Sequence, residues 1–188
     1  VLASTSPYRR ELLARLKLPF EARAPGIDES ALAGEAPAAQ ARRLALAKAS
    51  ALADALPDHV VIGADQVAAC EGVVLGKPGD AATARAQLAR QSGKAVQFHS
   101  AVAVLCRARG FVDEFIDLTV VQLRRLSAQE IAAYVEADRP YDCAGSLRSE
   151  SLGVALCERI LSEDPTGLVG LPLVRLAASL RSCGYPLP

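Results

Sequence analysis

The stretch His59-Val60-Val61-Ile62-Gly63-Ala64-Asp65-Gln66 decides the fold. From His59 to Ala64 it is too continuously apolar for a strand with one wet face, so it reads as a strand buried on both sides. Downstream, Glu71-Gly72 turns the chain into Val73-Val74-Leu75, a hairpin signal. Two strand-like runs, 95–105 and 111–123, joined around 107–110, form a longer hairpin. Upstream, Val1-Leu2-Ala3 reads as the end of a strand feeding a helix over 7–17. Ser6 is its N-cap, Pro7 suits the first helical position, and Leu12, Leu13 and Leu16 give the apolar face.

Further helices are expected over 37–56, with Leu44, Leu52 and Leu56 on one side, and over 80–91, capped by Asp80 and followed by Gly93. Ser127 and Glu130 form a capping-box pattern for a helix over 128–138. A polar loop after Pro140 leads to a strand near Val154-Ala155-Leu156, and a last helix covers 172–182. Helices and strands alternate, with antiparallel hairpins in the middle. That pattern predicts an α/β fold with a mixed twisted sheet and flanking helices, rather than a regular doubly wound one. With no repeat, low-complexity tail or long linker, residues 1–188 read as a single domain.

Composition narrows the function. The 188 residues are 51% hydrophobic and 22% charged, a globular balance rather than a disordered one. Lys+Arg and Asp+Glu both number 21, so bulk charge excludes a strongly basic nucleic-acid binder. Aromatics are 4% with no Trp, which argues against stacking platforms for single strands. Cys70, Cys106, Cys143, Cys157 and Cys183 are odd in number and show no CxxC spacing; they read as reduced thiols. No apolar run approaches the roughly 20 residues of a membrane span, and the expectation is a soluble cytoplasmic protein.

Chemistry-bearing residues fall into several groups. Ser4-Thr5-Ser6-Pro7-Tyr8-Arg9-Arg10 surrounds a strand-to-helix junction, where free N–H groups, Ser6 and the forked donors of Arg9 and Arg10 suit phosphate oxygens. A capped helix with two solvated arginines has the same sequence. Asp65 is expected directly after the buried strand, where active sites of open α/β sheets lie; it could orient a water, ligate a metal, or simply form a turn. Gln66 could read a base edge or be a polar loop residue. Asp28-Glu29, Lys48 and Lys77 in Gly76-Lys77-Pro78 suit a metal–polyphosphate site, though each also suits a solvated surface. Gly145-Ser146-Leu147-Arg148-Ser149-Glu150 is a candidate substrate-reading loop. Rival chemistry is thin: there is no GxSxG elbow, the two histidines, His59 and His99, lack ligand spacing, and Cys143 beside Asp142 has no local histidine.

Taken in order, Leu-Ala-Ser-x-Ser-Pro-x-Arg-Arg at 2–10, Asp28-Glu29, Lys48-Ala49, Gly63-Ala64-Asp65, Gly76-Lys77-Pro78 and Val169-Gly170-Leu171-Pro172 resemble the Maf family of nucleoside triphosphate pyrophosphatases. The resemblance implies two lobes around a deep cleft, akin to the inosine triphosphatase fold, and hydrolysis of a nucleoside triphosphate to monophosphate and pyrophosphate with Mg²⁺ or Mn²⁺. It implies that Asp65 is the proton acceptor, that Ser6, Arg10, Glu29, Lys48 and Lys77 surround the polyphosphate, and that Glu29 and Asp65 hold the metal. Tyr8, Asp65-Gln66 and Glu150 look like the branch that hydrolyses 7-methyl-GTP, with Tyr8, Gln66 and Glu150 setting specificity. The family alternatives are a dTTP/UTP pyrophosphatase and a nucleotide-binding regulator of cell division. The partner implied is the nucleotide substrate, with no membrane or nucleic-acid polymer, and the family allows a homodimer.

Overall fold

The computed structural model describes all of residues 1–188. Seven strands, β1 (Leu2–Ala3), β2 (Ala22–Arg23), β3 (Val61–Cys70), β4 (Val73–Leu75), β5 (Ala95–Cys106), β6 (Phe111–Leu123) and β7 (Cys157–Leu161), form one sheet. The order is β2-β1-β3-β5-β6-β7, with β4 also on β3. β1 runs parallel to β2 and β3, and every other pair is antiparallel, so the expected mixed α/β sheet is observed. Five helices flank it: α1 (Pro7–Ala14), α2 (Pro37–Ala53), α3 (Ala81–Gln91), α4 (Ala128–Asp138) and α5 (Leu173–Ser182).

Local signals explain most of the elements. Ser6 accepts from the Arg9 N–H and Asp80 from the Thr83 N–H, and the Ser127–Glu130 capping box is complete. Glu71 and Gly72 both have positive φ (51° and 78°), the two-residue turn that matches strand twist, and it closes the β3–β4 hairpin. Two expectations fail. Val154-Ala155-Leu156 lies in a 3₁₀ turn, Leu152–Leu156, because Asp138 ties down Ser151 Oγ and the Gly153 N–H; the strand begins at Cys157. Asp65 does not follow a strand end but sits mid-strand in β3, paired with Ala101.

The long β5–β6 hairpin carries the core, and strand alternation sorts it. Gly63, Asp65 and Val67 face α2, where Val67 packs with Ala41, Ala45 and Ala101. The approach is close: a Cβ on Gly63 would lie 2.2 Å from the Ala45 carbonyl oxygen and 2.5 Å from the Ala49 nitrogen. Only glycine permits this backbone contact. On the opposite face two apolar clusters form. One joins Leu12, Ile62, Val102, Phe115 and Leu176 between α1, α5 and the sheet. The other joins Leu88, Phe98, Val121, Tyr134 and Leu147 under α3 and α4. Between them the register aligns Gln66 with Ser100 and Ser100 with Asp117, a polar band across three strands. No helix is long and apolar enough to cross a membrane.

Candidate active site

The sheet edge beside β3 is split. β1 pairs with β3 only at Ile62 and Gly63, and β4 only from Ala68 to Cys70, so Ala64–Val67 have no strand on that side. A cavity of about 280 Å³ opens near this gap, walled by the β1–α1 junction (Ser4–Arg9), by Glu29, Lys48, Gln66 and Lys77, by Asp142–Ala144, Leu147 and Glu150, and by Leu168 and Val169.

At its base Lys48, on the buried face of α2, donates to Glu29 Oε2 and to Asp65 Oδ1, each at 2.7 Å. The close packing of α2 on Gly63 brings these groups together, because Asp65 lies two residues further along the same strand face. Lys48 and Asp65 have side chains only 5% and 9% exposed, whereas Glu29 is 55% exposed. The pair is thus desolvated, and Glu29 reaches it from the solvent side. Arg9 donates from Nε to the Gly170 carbonyl at 3.1 Å. Burial lowers its pKa, and the nearby charges of Asp65 and Glu29 oppose that shift.

No group of three or more His, Cys, Asp and Glu side chains is arranged to hold a metal ion by itself. Two carboxylates here share the Lys48 ammonium, and Mg²⁺ is commonly held by one or two carboxylates completed by substrate phosphate oxygens. Glu29 and Asp65 would be the protein's oxygen donors to such an ion, each with one oxygen already bound to Lys48, and phosphates would supply the remaining ligands.

Another part of the wall is aromatic and acidic. Tyr8 donates its hydroxyl to Asp142 (3.1 Å to Oδ2), and the Arg148 guanidinium lies 5.9 Å from the ring centroid. Arg148 also donates to Asp142 Oδ1 (3.2 Å) and to the Asp138 carbonyl (2.8 Å). Burial, reinforced by Cys143 and Asp142, keeps the Tyr8 phenol protonated. Burial alone would raise Asp142, but the bonds from Tyr8 and Arg148 outweigh it and hold the carboxyl below its usual range. Burial pushes the Cys143 thiol up, so it is no thiolate nucleophile. Glu29 and Asp142 are paired with cations, whereas Glu150, touched only by the Ser149 hydroxyl at 3.3 Å, is the one cavity carboxylate without one.

Residues 1–183 match the family described as "Maf-like protein". The chain belongs to the Maf family. Its relatives include proteins named "7-methyl-GTP pyrophosphatase". That of Albidiferax ferrireducens is 54% identical, covering 98% of this chain and 92% of the relative. Those of Polaromonas sp. and Xanthomonas oryzae pv. oryzae are each 52% identical over all of this chain, covering 85% and 98% of the relatives. Among solved structures, the Staphylococcus aureus Ham1 protein aligns at a TM-score of 0.47 and 15% identity, over 66% of this chain and 71% of that one.

Of the positions that the Maf resemblance and the residue chemistry single out, Ser6, Tyr8, Arg9, Glu29, Lys48, Gln66, Lys77 and Glu150 line the one cavity. Asp65 joins them through Lys48. Arg10 does not: it is exposed and outside the cavity wall. Gln66 lines the cavity and is also a structural anchor. Its amide nitrogen donates to Ser100 Oγ (2.9 Å) and to the carbonyls of Gly167 (3.1 Å) and Leu168 (2.9 Å), which holds the 167–170 turn and leaves the amide oxygen as the group free to meet a ligand. Sequence reasoning missed Ser100, which donates to the Gly167 carbonyl at 2.7 Å, and Asp164. Asp164 and Thr166 supply α5 with the N-terminal acceptors that Pro172 lacks, at the Val174 and Leu173 N–H groups. The alternation of Ser100 within an apolar strand was the available signal.

Proposed function

We propose that this Maf protein is a nucleoside triphosphate pyrophosphatase that hydrolyses 7-methyl-GTP to 7-methyl-GMP and pyrophosphate, working as one domain on free nucleotides of the cytoplasm. The observation that carries the reading is one cavity holding both phosphate-type donors (Ser6, Arg9, Lys48, Lys77) and an aromatic ring with an unpaired carboxylate (Tyr8, Glu150). Methylation at N7 gives guanine a delocalised positive charge, which a ring face attracts. Glu150 balances that charge and accepts from the guanine N1–H and exocyclic amine. The names and full-length identity of the relatives support the same substrate.

In this reading Asp65 takes the proton of the water that attacks the α-phosphorus, with its Oδ1 held by Lys48. Pyrophosphate leaves with several charges, so neutralisation by Arg9, Lys48 and Lys77 carries much of the rate. Glu29 and Asp65 hold a divalent cation, which supplies further neutralisation of the phosphate oxygens when bound.

The test is pyrophosphate release with Mg²⁺ or Mn²⁺ from 7-methyl-GTP, GTP, dTTP and UTP, with Asp65→Asn as control. Selective turnover of 7-methyl-GTP, reduced about 10²- to 10⁴-fold in the control, is the expected result. Preference for dTTP and UTP would overturn the substrate, and near-normal turnover by Asp65→Asn would remove its role as base.

A further inference from the structure

The Tyr8 ring is already engaged by a cation before any substrate arrives. Arg148 lies 5.9 Å from its centroid yet is absent from the cavity wall, so it backs the ring that the cavity uses. A second cation stacked on the cavity side would share the same ring electrons and feel the guanidinium through them. Asp142 changes this balance. It accepts from Arg148 at 3.2 Å and from the Tyr8 hydroxyl at 3.1 Å, and it lines the cavity itself. One carboxylate therefore neutralises the backing cation, fixes the phenol in place and enriches its ring.

Resting on the 7-methyl-GTP reading, we propose that Asp142 is a further specificity-determining residue, a charge-compensating and positioning group that lets the Tyr8 ring accept a cationic base. Without its charge, Arg148 becomes an uncompensated cation behind the ring, and the site loses its preference for a methylated purine over a neutral one. Asparagine keeps the shape and an acceptor for the Tyr8 hydroxyl but removes the charge. Glutamate keeps the charge at altered reach. The comparison thus separates electrostatics from packing.

The experiment measures equilibrium binding of 7-methyl-GMP and GMP by calorimetry to the unmodified protein, Asp142→Asn and Asp142→Glu. The expected result is a preference for 7-methyl-GMP that falls about tenfold in Asp142→Asn, the size of one partly desolvated cation–π interaction, and is largely kept in Asp142→Glu. A preference that survives in Asp142→Asn, or an equal loss for both nucleotides, would overturn the inference alone. Equal affinity of the unmodified protein for both would refute the 7-methyl-GTP reading, and the inference with it.

Discussion

Replacing Lys48 by methionine removes the ammonium and keeps most of the stem's volume, so it isolates the charge. Asp65 is then a carboxylate only 9% exposed whose direct cationic partner is gone. Breaking a buried ion pair from one side costs about 3–5 kcal/mol. The Arg9 guanidinium, whose charge interacts with Asp65 and Glu29, compensates part of this. The Glu29 bridge is half in water and adds less than about 1 kcal/mol. The expected loss is about 3 kcal/mol at pH 7. Asp65→Asn costs less, because Lys48 retains Glu29 at 2.7 Å. Combining Lys48→Met with Asp65→Asn removes the orphaned charge and restores about 2 kcal/mol relative to Lys48→Met alone. The chain has no Trp, so urea denaturation followed by circular dichroism is the suitable assay. A Lys48→Met protein within about 1 kcal/mol of the parent would refute the reasoning, since that is the range of a solvated surface pair. A double variant less stable than Lys48→Met would do so as well.

Gly63→Ala drives a methyl group against the α2 backbone, 2.2 Å from Ala45 O, and costs more than about 4 kcal/mol; a thermal midpoint within a few degrees of the parent would contradict the close packing. Asp117 is buried without a cation, and burial first, then Asp164 and Glu163, raises its pKa. Its contribution to stability is complete below the unfolded carboxyl range and is lost as pH rises through the folded pKa, so Asp117→Asn stabilises the protein at pH 7 but not near pH 4. Denaturation at both pH values checks the sign, and equal effects at the two would refute it. Glu150→Gln raises KM for 7-methyl-GTP about tenfold, the size of one lost charge-assisted contact, and for GTP by less, because only the methylated base loses a balanced charge; steady-state kinetics showing equal losses would count against the charge-balancing role.

The sequence was most legible where the signal was local. Caps at Ser6, Asp80 and Ser127, the Glu71-Gly72 turn and the apolar runs of β5 and β6 placed these elements closely. Asp65-Gln66 misled because a polar pair after an apolar run looks like a strand end. The strand continues because β5 goes on pairing through Gln66 and Val67, and because Lys48, distant in sequence, satisfies the acid. No local rule reports such a partner. The same holds for 154–156, where Asp138 arrests the chain in a turn, and for β2, whose two residues have no pattern to read. The cavity residues were legible as an ordered set of segments. Asp142 was not, because its importance lies in touching Tyr8 across 134 residues.

The position of the cavity follows from the polar band across β3, β5 and β6. Along one sheet face, even-numbered β5 residues alternate into the core: Val96 and Phe98 at one end, Val102 and Val104 at the other. Ser100 interrupts them, flanked by Gln66 on one strand and Asp117 on the next. Buried polar groups need partners, so this band cannot be covered by an apolar helix face. It is covered instead by the backbone of the 167–170 turn. The Gly167 carbonyl accepts from both Ser100 and Gln66, and a Cβ on Gly167 would lie 2.1 Å from Asp117 Oδ2. One core is thereby divided into two, with α1 and α5 over the first and α3 and α4 over the second. The turn that seals the band presents Leu168 and Val169 to the cavity and the Gly170 carbonyl to Arg9. The interruption of the hydrophobic pattern at Ser100, a flaw by the logic of a strand, thus anchors the turn that forms one wall of the cavity.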